Sequence, residues 1–303
     1  MNKKNVFLFP GQGSQYCGMG KNIYKHYESV KSFYKTAENI LGYNIQEISF
    51  NGTIEELNKT KFTQPAIFVN SIIKDSILKS NGIFPAAVAG HSLGEFSALV
   101  SANIIGYEDA LKIIKVRASE MDKAGKKNLG TMVAILGATN EQIKEICTQK
   151  EIVVVANYNS NNQTVISGSI EGINNAINTA NKIGVKRAIM LNVSGAFHSP
   201  LMKFAREKLE DIINNTTFTN SEIPIYQNVE PQPITDLNKI KSNLIKQLEN
   251  SVQWRKTILN MNNNNLNYFI EVGPGKILSG LNKKIIKNSV NKLFKDVINY
   301  NNV

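Results

Sequence analysis

Residues 90–95 read GHSLGE and place Ser92 between two glycines. A short apolar run precedes this segment and a helical pattern follows it, which is the strand–turn–helix setting of a nucleophile elbow. The glycines allow a turn sharp enough to project Ser92 Oγ over a sheet. The Leu93 amide, at the helix start, would then face a developing oxyanion in the favourable field of the helix dipole. The segment therefore predicts a serine nucleophile for acyl transfer, although a glycine-rich turn without chemistry has the same pattern.

The chain has three histidines that could serve as the base: His26, His91 and His198. His26 lies at the start of an amphipathic helical pattern and is expected to be solvated. His91 adjoins Ser92, and a sharp elbow turns neighbouring side chains apart, which favours a packing or supporting role. His198 lies in a loop between a predicted strand and a helix that begins at a proline, and such loops carry catalytic groups in α/β folds. Ser92 and His198 are therefore the predicted acyl-transfer pair.

The stretch between Ser92 and His198 offers no convincing candidate for the usual third member of a hydrolase triad. Between Ser92 and His198 the acidic residues fall almost entirely within helical patterns, and none follows a convincing strand. Hydrolases with this elbow carry an Asp or Glu at such a strand end. We therefore expect a neutral oxygen, such as a backbone carbonyl, to orient His198.

Arg117 lies within the apolar stripe of a predicted helix over residues 107–123. The stripe is spaced at three and four residues, so the guanidinium faces inward. An inward charge is costly unless it is paired, and a guanidinium pairs well with a carboxylate. Two interpretations remain open at this point. Arg117 pairs with an internal acid or extends past the core, or it binds a carboxylate of the substrate.

The elements that must position these residues alternate between strands and helices. This alternation predicts an α/β fold, a hydrolase-like and mostly parallel sheet covered by helices. The middle of the chain reads strand–helix–strand–strand–helix–strand between residues 131 and 191, which is the ferredoxin-like unit. We therefore predict a large subdomain formed by residues 1–127 and 195–303, with a ferredoxin-like subdomain inserted at 128–194. Within the large subdomain, a helix is expected at about 64–80.

Composition excludes several classes of function. The 303 residues are 42% hydrophobic, enough for a core, and carry a formal net charge of +11. The basic residues are scattered without aromatic interleaving, which predicts no nucleic-acid partner but suits an acidic protein partner. No apolar run approaches about eighteen residues, and no signal peptide is evident, so no membrane contact is expected. The two cysteines, Cys17 and Cys147, indicate a reduced compartment and a cytoplasmic protein.

Seven segments, in order from about residue 5 to residue 280, carry a resemblance to a known family. They read FPGQGSQ, TQPA, GHSLGE, VR, GAFHSPLM, QLENSVQW and EVGPGK. Together they resemble the malonyl-CoA:acyl carrier protein transacylases of type II fatty acid synthesis. The resemblance implies a ping-pong transfer of malonyl from coenzyme A to the phosphopantetheine thiol of acyl carrier protein, through an acyl-enzyme on Ser92. It implies no metal and no resident cofactor, and we expect a monomer.

The same resemblance implies roles for individual residues. His198 would act as base and then as acid, and Arg117 would hold the malonyl carboxylate. Gln12 and the Leu93 amide would form the oxyanion hole, which explains a glutamine inside a glycine-rich turn. The backbone carbonyl of Gln247 would orient His198, and Phe197 would crowd the α-carbon of the acyl group. The resemblance also includes an asparagine pair near the inserted unit, Asn157 and Asn159. At the first position of the GAFH motif, this chain has Gly195 where members of the family often have a histidine.

Three rival functions remain. An esterase or thioesterase of the α/β-hydrolase class shares the elbow but requires the missing acid. A scaffold without catalysis would have no need for Ser92, His198 and Arg117 together. A free-standing malonyl acyltransferase of a polyketide synthase has the same chemistry, and only its carrier protein would distinguish it.

Overall fold

The computed structural model describes residues 4–298, so the outer limits of the predicted large subdomain, residues 1 and 303, lie outside it. Within these residues nine strands form two sheets. The strands are β1 (Asn5–Phe9), β2 (Ala87–Gly90), β3 (Gly130–Leu136), β4 (Val153–Ser160), β5 (Gln163–Ser169), β6 (Arg187–Met190), β7 (Ile225–Tyr226), β8 (Tyr268–Glu271) and β9 (Val290–Leu293).

Fourteen α-helices and three short 3-10 helices cover the sheets within the same residues. The α-helices are α1 (Lys21–His26), α2 (Lys31–Leu41), α3 (Ile45–Asn51), α4 (Ile54–Leu57), α5 (Thr60–Ser80), α6 (Gly94–Ser101), α7 (Tyr107–Lys127), α8 (Asn140–Cys147), α9 (Ile170–Lys182), α10 (Lys203–Asn214), α11 (Leu237–Lys246), α12 (Trp254–Asn263), α13 (Ile277–Ile285) and α14 (Phe294–Val297). The 3-10 helices are Glu28–Val30, Pro200–Met202 and Gln247–Glu249.

The large sheet is parallel and has the strand order β7-β2-β1-β8-β9. Strand β1 lies at its centre, and its residues Val6, Phe7, Leu8 and Phe9 are at most 1% exposed. Side chains alternate between two layers, so one face packs against α5 and α7 and the other packs against α12 and α13. A strand buried on both faces reads as a continuous apolar run, as Val6–Phe9 does in the sequence. The carboxyl ends of β1 and β2 meet at one edge, where the reactive turns lie.

The small sheet is antiparallel and has the strand order β4-β5-β3-β6. Its connectivity is strand–helix–strand–strand–helix–strand, with α8 and α9 packed on one face through Val133, Ile135, Ile143 and Ile173. This arrangement confirms the predicted α/β fold with a ferredoxin-like unit. The residue boundaries of the two subdomains, 128–194 and the remainder, stay a prediction.

Strand β4 is also hydrogen-bonded to a segment outside the small sheet. Val252 forms a β-bridge with Asn157, its N–H donates to Ala156 O at 2.8 Å, and its carbonyl accepts from Tyr158 N–H at 2.9 Å. Val252 lies between the 3-10 helix Gln247–Glu249 and α12. The small sheet is thereby connected to the segment that carries Gln247.

Helix α5 begins at Thr60, four residues before the predicted start, and contains Pro65 in its second turn. Proline has no N–H, so the carbonyl of Lys61, four residues earlier, lacks its helical partner. Tyr43 Oη donates to that carbonyl at 2.7 Å and replaces the missing bond. The predicted start was too late, because the hydrogen bond that allows a helix to form ahead of the proline comes from a residue outside the helical segment. Within residues 4–298 no helix is long and apolar enough to cross a bilayer.

Candidate active site

The turn between β2 and α6 holds Ser92 in the left-handed backbone region, with a φ of 51°. Residues other than glycine adopt this backbone conformation only at an energetic cost, so the positive φ of Ser92 marks a constrained turn. A Cβ added to Gly90 would lie 1.9 Å from Gly94 C, and one added to Gly94 would lie 2.0 Å from Phe9 O. Both glycines are therefore required by the close approach of backbone, and the segment has the geometry predicted for a nucleophile elbow.

The constrained turn is held by a residue that the sequence did not single out, Asn228. Its side-chain carbonyl accepts from Ser92 N–H at 2.7 Å, and its amide donates to Gly90 O at 2.6 Å. The Asn228 N–H donates to one carboxylate oxygen of Glu95, and Gln227 Nε2 donates to the other. Glu95 is fully buried, and burial raises the pKa of its carboxyl while these hydrogen bonds oppose the rise. The network fixes both sides of the elbow.

Ser92 Oγ lies 2.9 Å from His198 Nε2. On the other side of the ring, Nδ1 faces the carbonyls of Gln247, at 2.9 Å, and Asn250, at 3.2 Å. Carbonyls only accept, so Nδ1 carries the proton and the Nε2 lone pair faces the serine. Burial lowers the pKa of His198 to about 3, with a further contribution from the Arg117 charge, and the two carbonyls oppose the shift. His198 is therefore neutral and able to accept a proton.

Arg117 is a buried cation beside the serine and is 1% exposed. Its Nη1 donates to Gln64 Oε1 at 2.7 Å, and its Nη2 donates to Ser92 Oγ and Gln247 Oε1, both at 3.1 Å. These partners are neutral, and within residues 4–298 Arg117 forms no ion pair. Burial lowers its pKa to about 9, opposed by the more distant Glu95 carboxyl. Its Nε has no hydrogen-bond partner among the described residues, so the guanidinium retains capacity for an anion.

A cleft of about 370 Å³ joins these groups. Leu93 is the N-cap residue of α6, at the helix end where amide N–H groups have no intrahelical acceptor. Within the described part of the chain, the one hydrogen bond of Gln12 Nε2 is long, 3.5 Å to Thr60 Oγ1, so its amide is free to turn. The cleft is lined by residues predicted from the sequence, namely Gln12, His91, Ser92, Leu93, Arg117, Asn157, Asn159, Phe197 and His198. Gln247 lies behind the guanidinium and the imidazole rather than in the lining.

Gln15, the second glutamine of the first turn, has a different environment from Gln12. Its Oε1 accepts from Gly13 N–H at 2.8 Å and its Nε2 donates to Asn58 Oδ1 at 2.7 Å. Both hydrogen-bonding ends of the amide are thus used inside the protein. Gln15 holds the turn in place, whereas Gln12 leaves its donor available.

His91 packs away from the reactive pair. Its Nε2 lies 2.8 Å from Asn159 Oδ1, and its ring lies 5.6 Å from that of Trp254. Burial lowers the pKa of His91, and the Asn159 contact opposes this shift. The placement agrees with the supporting role expected from the elbow. Asn159 and Asn157 are 9% and 6% exposed, and both line the cleft. They belong to β4, so the small sheet forms part of the wall of the cleft.

Two observations delimit the site. A larger cavity of about 750 Å³ lies between α8, β4 and α12 and is lined by none of the residues predicted to react or bind. Across the part of the chain that the structure describes, no group of three or more His, Cys, Asp or Glu side chains could hold a metal ion. The cleft itself brings together the serine, the imidazole, the guanidinium and the amide donors.

Comparison with known proteins agrees with this geometry. Residues 6–294 match the family model described as acyl transferase domain. The chain is 40% identical over 286 residues to the malonyl CoA-acyl carrier protein transacylase of Bacillus subtilis, covering 93% of this chain and 90% of that protein. It is also similar to the solved acyl carrier protein S-malonyltransferase of Vibrio cholerae, with 37% identity, a TM-score of 0.92 and 96% of each chain covered.

A third similarity is to a malonyl-transacylase solved in complex with a type II polyketide acyl-carrier protein. The identity is 34%, the TM-score is 0.92, and 96% of each chain is covered. In that structure, a protein of the same fold is bound to an acyl-carrier protein of a type II polyketide system.

Proposed function

The chain belongs to the acyl transferase domain family, and we propose that it transfers malonyl from malonyl-CoA to the phosphopantetheine thiol of holo-acyl carrier protein. The observation that carries this proposal is the buried guanidinium of Arg117, 3.1 Å from Ser92 Oγ and without an ion-pair partner in residues 4–298. A buried cation is costly unless an anion accompanies it. When malonyl is esterified to Ser92, its carboxylate lies one short acyl chain away from Oγ. It can therefore supply the anion that the guanidinium requires.

In the first half-reaction, Ser92 Oγ attacks the thioester carbonyl and passes its proton to His198 Nε2. The carbonyl oxygen becomes an oxyanion, which the Leu93 N–H and the Gln12 amide stabilise. The carbon–sulfur bond then breaks, and the imidazolium returns its proton to the departing thiolate. Coenzyme A leaves as the free thiol, and malonyl remains as an ester on Ser92.

The second half-reaction runs the same steps with the carrier protein. His198 takes the proton of the phosphopantetheine thiol, and the thiolate attacks the malonyl ester. Collapse of the second tetrahedral intermediate releases Ser92 Oγ, which recovers the proton from the imidazolium. The carbonyls of Gln247 and Asn250 hold the imidazole in the required tautomer throughout. All proton transfers use residues of this chain, so we propose no resident metal or cofactor.

Selectivity for malonyl would come from two sides of the cleft. Arg117 attracts the carboxylate, and its planar fork can bind both oxygens. Phe197, 6% exposed and part of the lining, limits the room beside the α-carbon. Asn157 and Asn159 would contribute polar contacts from the small sheet.

The physiological context consists of further proposals. The net charge of +11 favours an acidic carrier protein, and we propose a monomeric enzyme in the cytoplasm, where the thiols of Cys17 and Cys147 stay reduced. Fatty acid synthesis is the pathway that the family resemblance favours. A polyketide pathway is the second candidate, because a structure of similar fold carries a polyketide carrier protein. Transfer rates to the two classes of carrier protein would separate them.

The test is incubation with malonyl-CoA, followed by addition of holo-carrier protein and intact-mass analysis of both proteins. The wild-type enzyme should gain one malonyl group and lose it to the carrier. Ser92→Ala, which removes one hydroxyl and little packing, should gain none. An unchanged malonyl gain in Ser92→Ala would place the nucleophile elsewhere. Release of free malonate without transfer would favour the hydrolase alternative.

A further inference from the structure

A second pocket opens at the same edge of the large sheet as the reactive serine. All five strands of this sheet are parallel, so their carboxyl ends share one edge, where α/β proteins bind ligands. The cleft with Ser92 follows β2 and β1. A cavity of about 280 Å³ follows the next two strands, β8 and β9. The first turn supplies Gln12 and Gln15 to the cleft and Tyr16 to this cavity, so the two spaces adjoin along one turn.

Among the described residues, 4–298, the cavity is lined by three lysines, Lys74, Lys276 and Lys295, and by no carboxylate. We call it the lysine pocket. Lys74 is 9% exposed, and its Nζ donates to Gly273 O at 2.6 Å. The same Nζ lies over the ring of Phe294, 5.6 Å from its centroid. Burial lowers the pKa of Lys74 to about 8, and the neighbouring Glu271 opposes this shift. Lys276 and Lys295 are exposed at the rim.

Two acidic residues on the elements that border the pocket, Glu271 in β8 and Asp296 in α14, accept hydrogen bonds from backbone amides. Glu271 accepts from Leu278 N–H at 3.0 Å and Ser279 N–H at 2.9 Å, at the start of α13. Asp296 accepts from Leu293 N–H at 2.8 Å. Within residues 4–298, neither Lys276 nor Lys295 forms an ion pair. The two rim ammonium groups are therefore available to an anionic ligand.

We propose that the lysine pocket binds the phosphate at the far end of the pantetheine arm, which malonyl-CoA and holo-carrier protein have in common. This inference rests on the proposed function. Ping-pong transfer brings two very different molecules to one serine in succession, and the arm with its phosphate is the part they share. Ammonium groups suit a phosphate as point charges. One phosphate site beside the cleft would align both the donor and the acceptor.

The kinetic test compares three malonyl thioesters: malonyl-CoA, malonyl-phosphopantetheine and malonyl-pantetheine, the last without phosphate. The variant is Lys276→Glu with Lys295→Glu. A control with the same change of charge is Lys150→Glu with Lys208→Glu, two exposed lysines outside the pocket and the cleft. The measurement is kcat/KM for acylation of Ser92, with thermal unfolding to verify the fold.

In the pocket variant, kcat/KM should fall roughly tenfold or more for both phosphate-bearing thioesters, because two exposed attractions become repulsions. Malonyl-pantetheine should change by less than about threefold, as should all three thioesters in the control. Equal losses for the three thioesters would overturn the proposal, and so would a loss confined to malonyl-CoA. The latter result would assign the lysines to the nucleotide phosphates of coenzyme A.

A binding experiment keeps this test separate from the proposed reaction. Calorimetric titration of the Ser92→Ala protein with phosphopantetheine and with pantetheine needs no turnover. Tighter binding of the phosphorylated arm, lost on adding Lys276→Glu and Lys295→Glu, would support the lysine pocket even if no malonyl transfer were observed. Equal binding of the two arms would overturn it even in an active enzyme.

Discussion

Ser92 and His198, whose side chains meet at 2.9 Å, both have positive φ angles, 51° and 58°. Each left-handed residue of this kind costs about 1–3 kcal/mol and persists only where its surroundings impose it. For Ser92 the surroundings are the glycines of the turn and the side chain of Asn228. The reactive pair thus depends on backbone held in an unfavourable conformation on both sides, which makes the supporting residues open to test.

Asn228→Ala should slow acylation of Ser92 roughly tenfold or more and lower stability. The substitution leaves Ser92 N–H and Gly90 O without partners, and a buried unpaired group costs about 1–3 kcal/mol. Asn228→Asp, which can still accept from Ser92 N–H, should keep more of the rate. The measurement is single-turnover acylation beside urea unfolding. A destabilised Asn228→Ala protein with normal kcat would limit this residue to a structural role.

Arg117→Ala should cripple transfer from malonyl-CoA much more than transfer from acetyl-CoA, which has no carboxylate. Removing one partner of a desolvated charge pair costs about 2–5 kcal/mol, roughly thirty- to several-thousand-fold in rate. Arg117→Lys should recover only part, because a point charge lacks the planar fork. The measurement is kcat/KM for both thioesters. Arg117 also contacts Ser92 Oγ, so the ratio between the thioesters is the informative quantity, and equal losses would contradict carboxylate binding.

The pH dependence of acylation should reflect the position of Arg117 beside His198. In the wild type, kcat/KM with acetyl-CoA should stay level as pH falls below 6.5, because burial and the Arg117 charge lower the pKa of His198. Removing a neighbouring positive charge makes protonation easier. The acid limb should therefore move to higher pH in Arg117→Ala. Stopped-flow pH jumps measure this before acid unfolding, and an unmoved limb would mean that the two charges are not coupled.

Gln12→Ala should lower the acylation rate by roughly 10²–10³-fold if its amide stabilises the oxyanion. Its melting temperature should change little, since its one contact, with Thr60, is 3.5 Å long. The matched variant is Gln15→Ala, which loses two shorter hydrogen bonds and should lose more stability and less rate. The opposite pattern, with Gln12→Ala unstable and fully active, would reverse the roles assigned to these glutamines.

The sequence predicted those parts of the site that depend on local pattern. Ser92 lies in a motif, His198 is one of three histidines, and Arg117 falls on the buried stripe of α7. Asn228 could not be found in this way, because its partner Ser92 is 136 residues distant and it follows a strand of only two residues. A strand this short leaves no periodicity to detect.

The partners of Arg117 show the same limit. Gln64 lies in a segment that was read as the start of a helix, and the helix in fact begins at Thr60. Its contact with Arg117 depends on how α5 packs against α7, which local sequence does not determine. Whether Arg117 had an internal acidic partner was likewise open until the packing was known.

The bridge between Val252 and β4 bears on the construction of hybrid enzymes. Residues 247–252 supply the two carbonyls that face His198 and also bind the edge of the small sheet through Ala156 and Tyr158. A chimaera that exchanges residues 128–194 with those of a relative, in order to alter acyl preference, would replace β4 but not the segment with Val252 to which β4 is hydrogen-bonded. Residues 247–252 should therefore be exchanged together with 128–194. The imported small sheet would then keep its own hydrogen-bonded partner segment, which carries the carbonyls that orient the histidine.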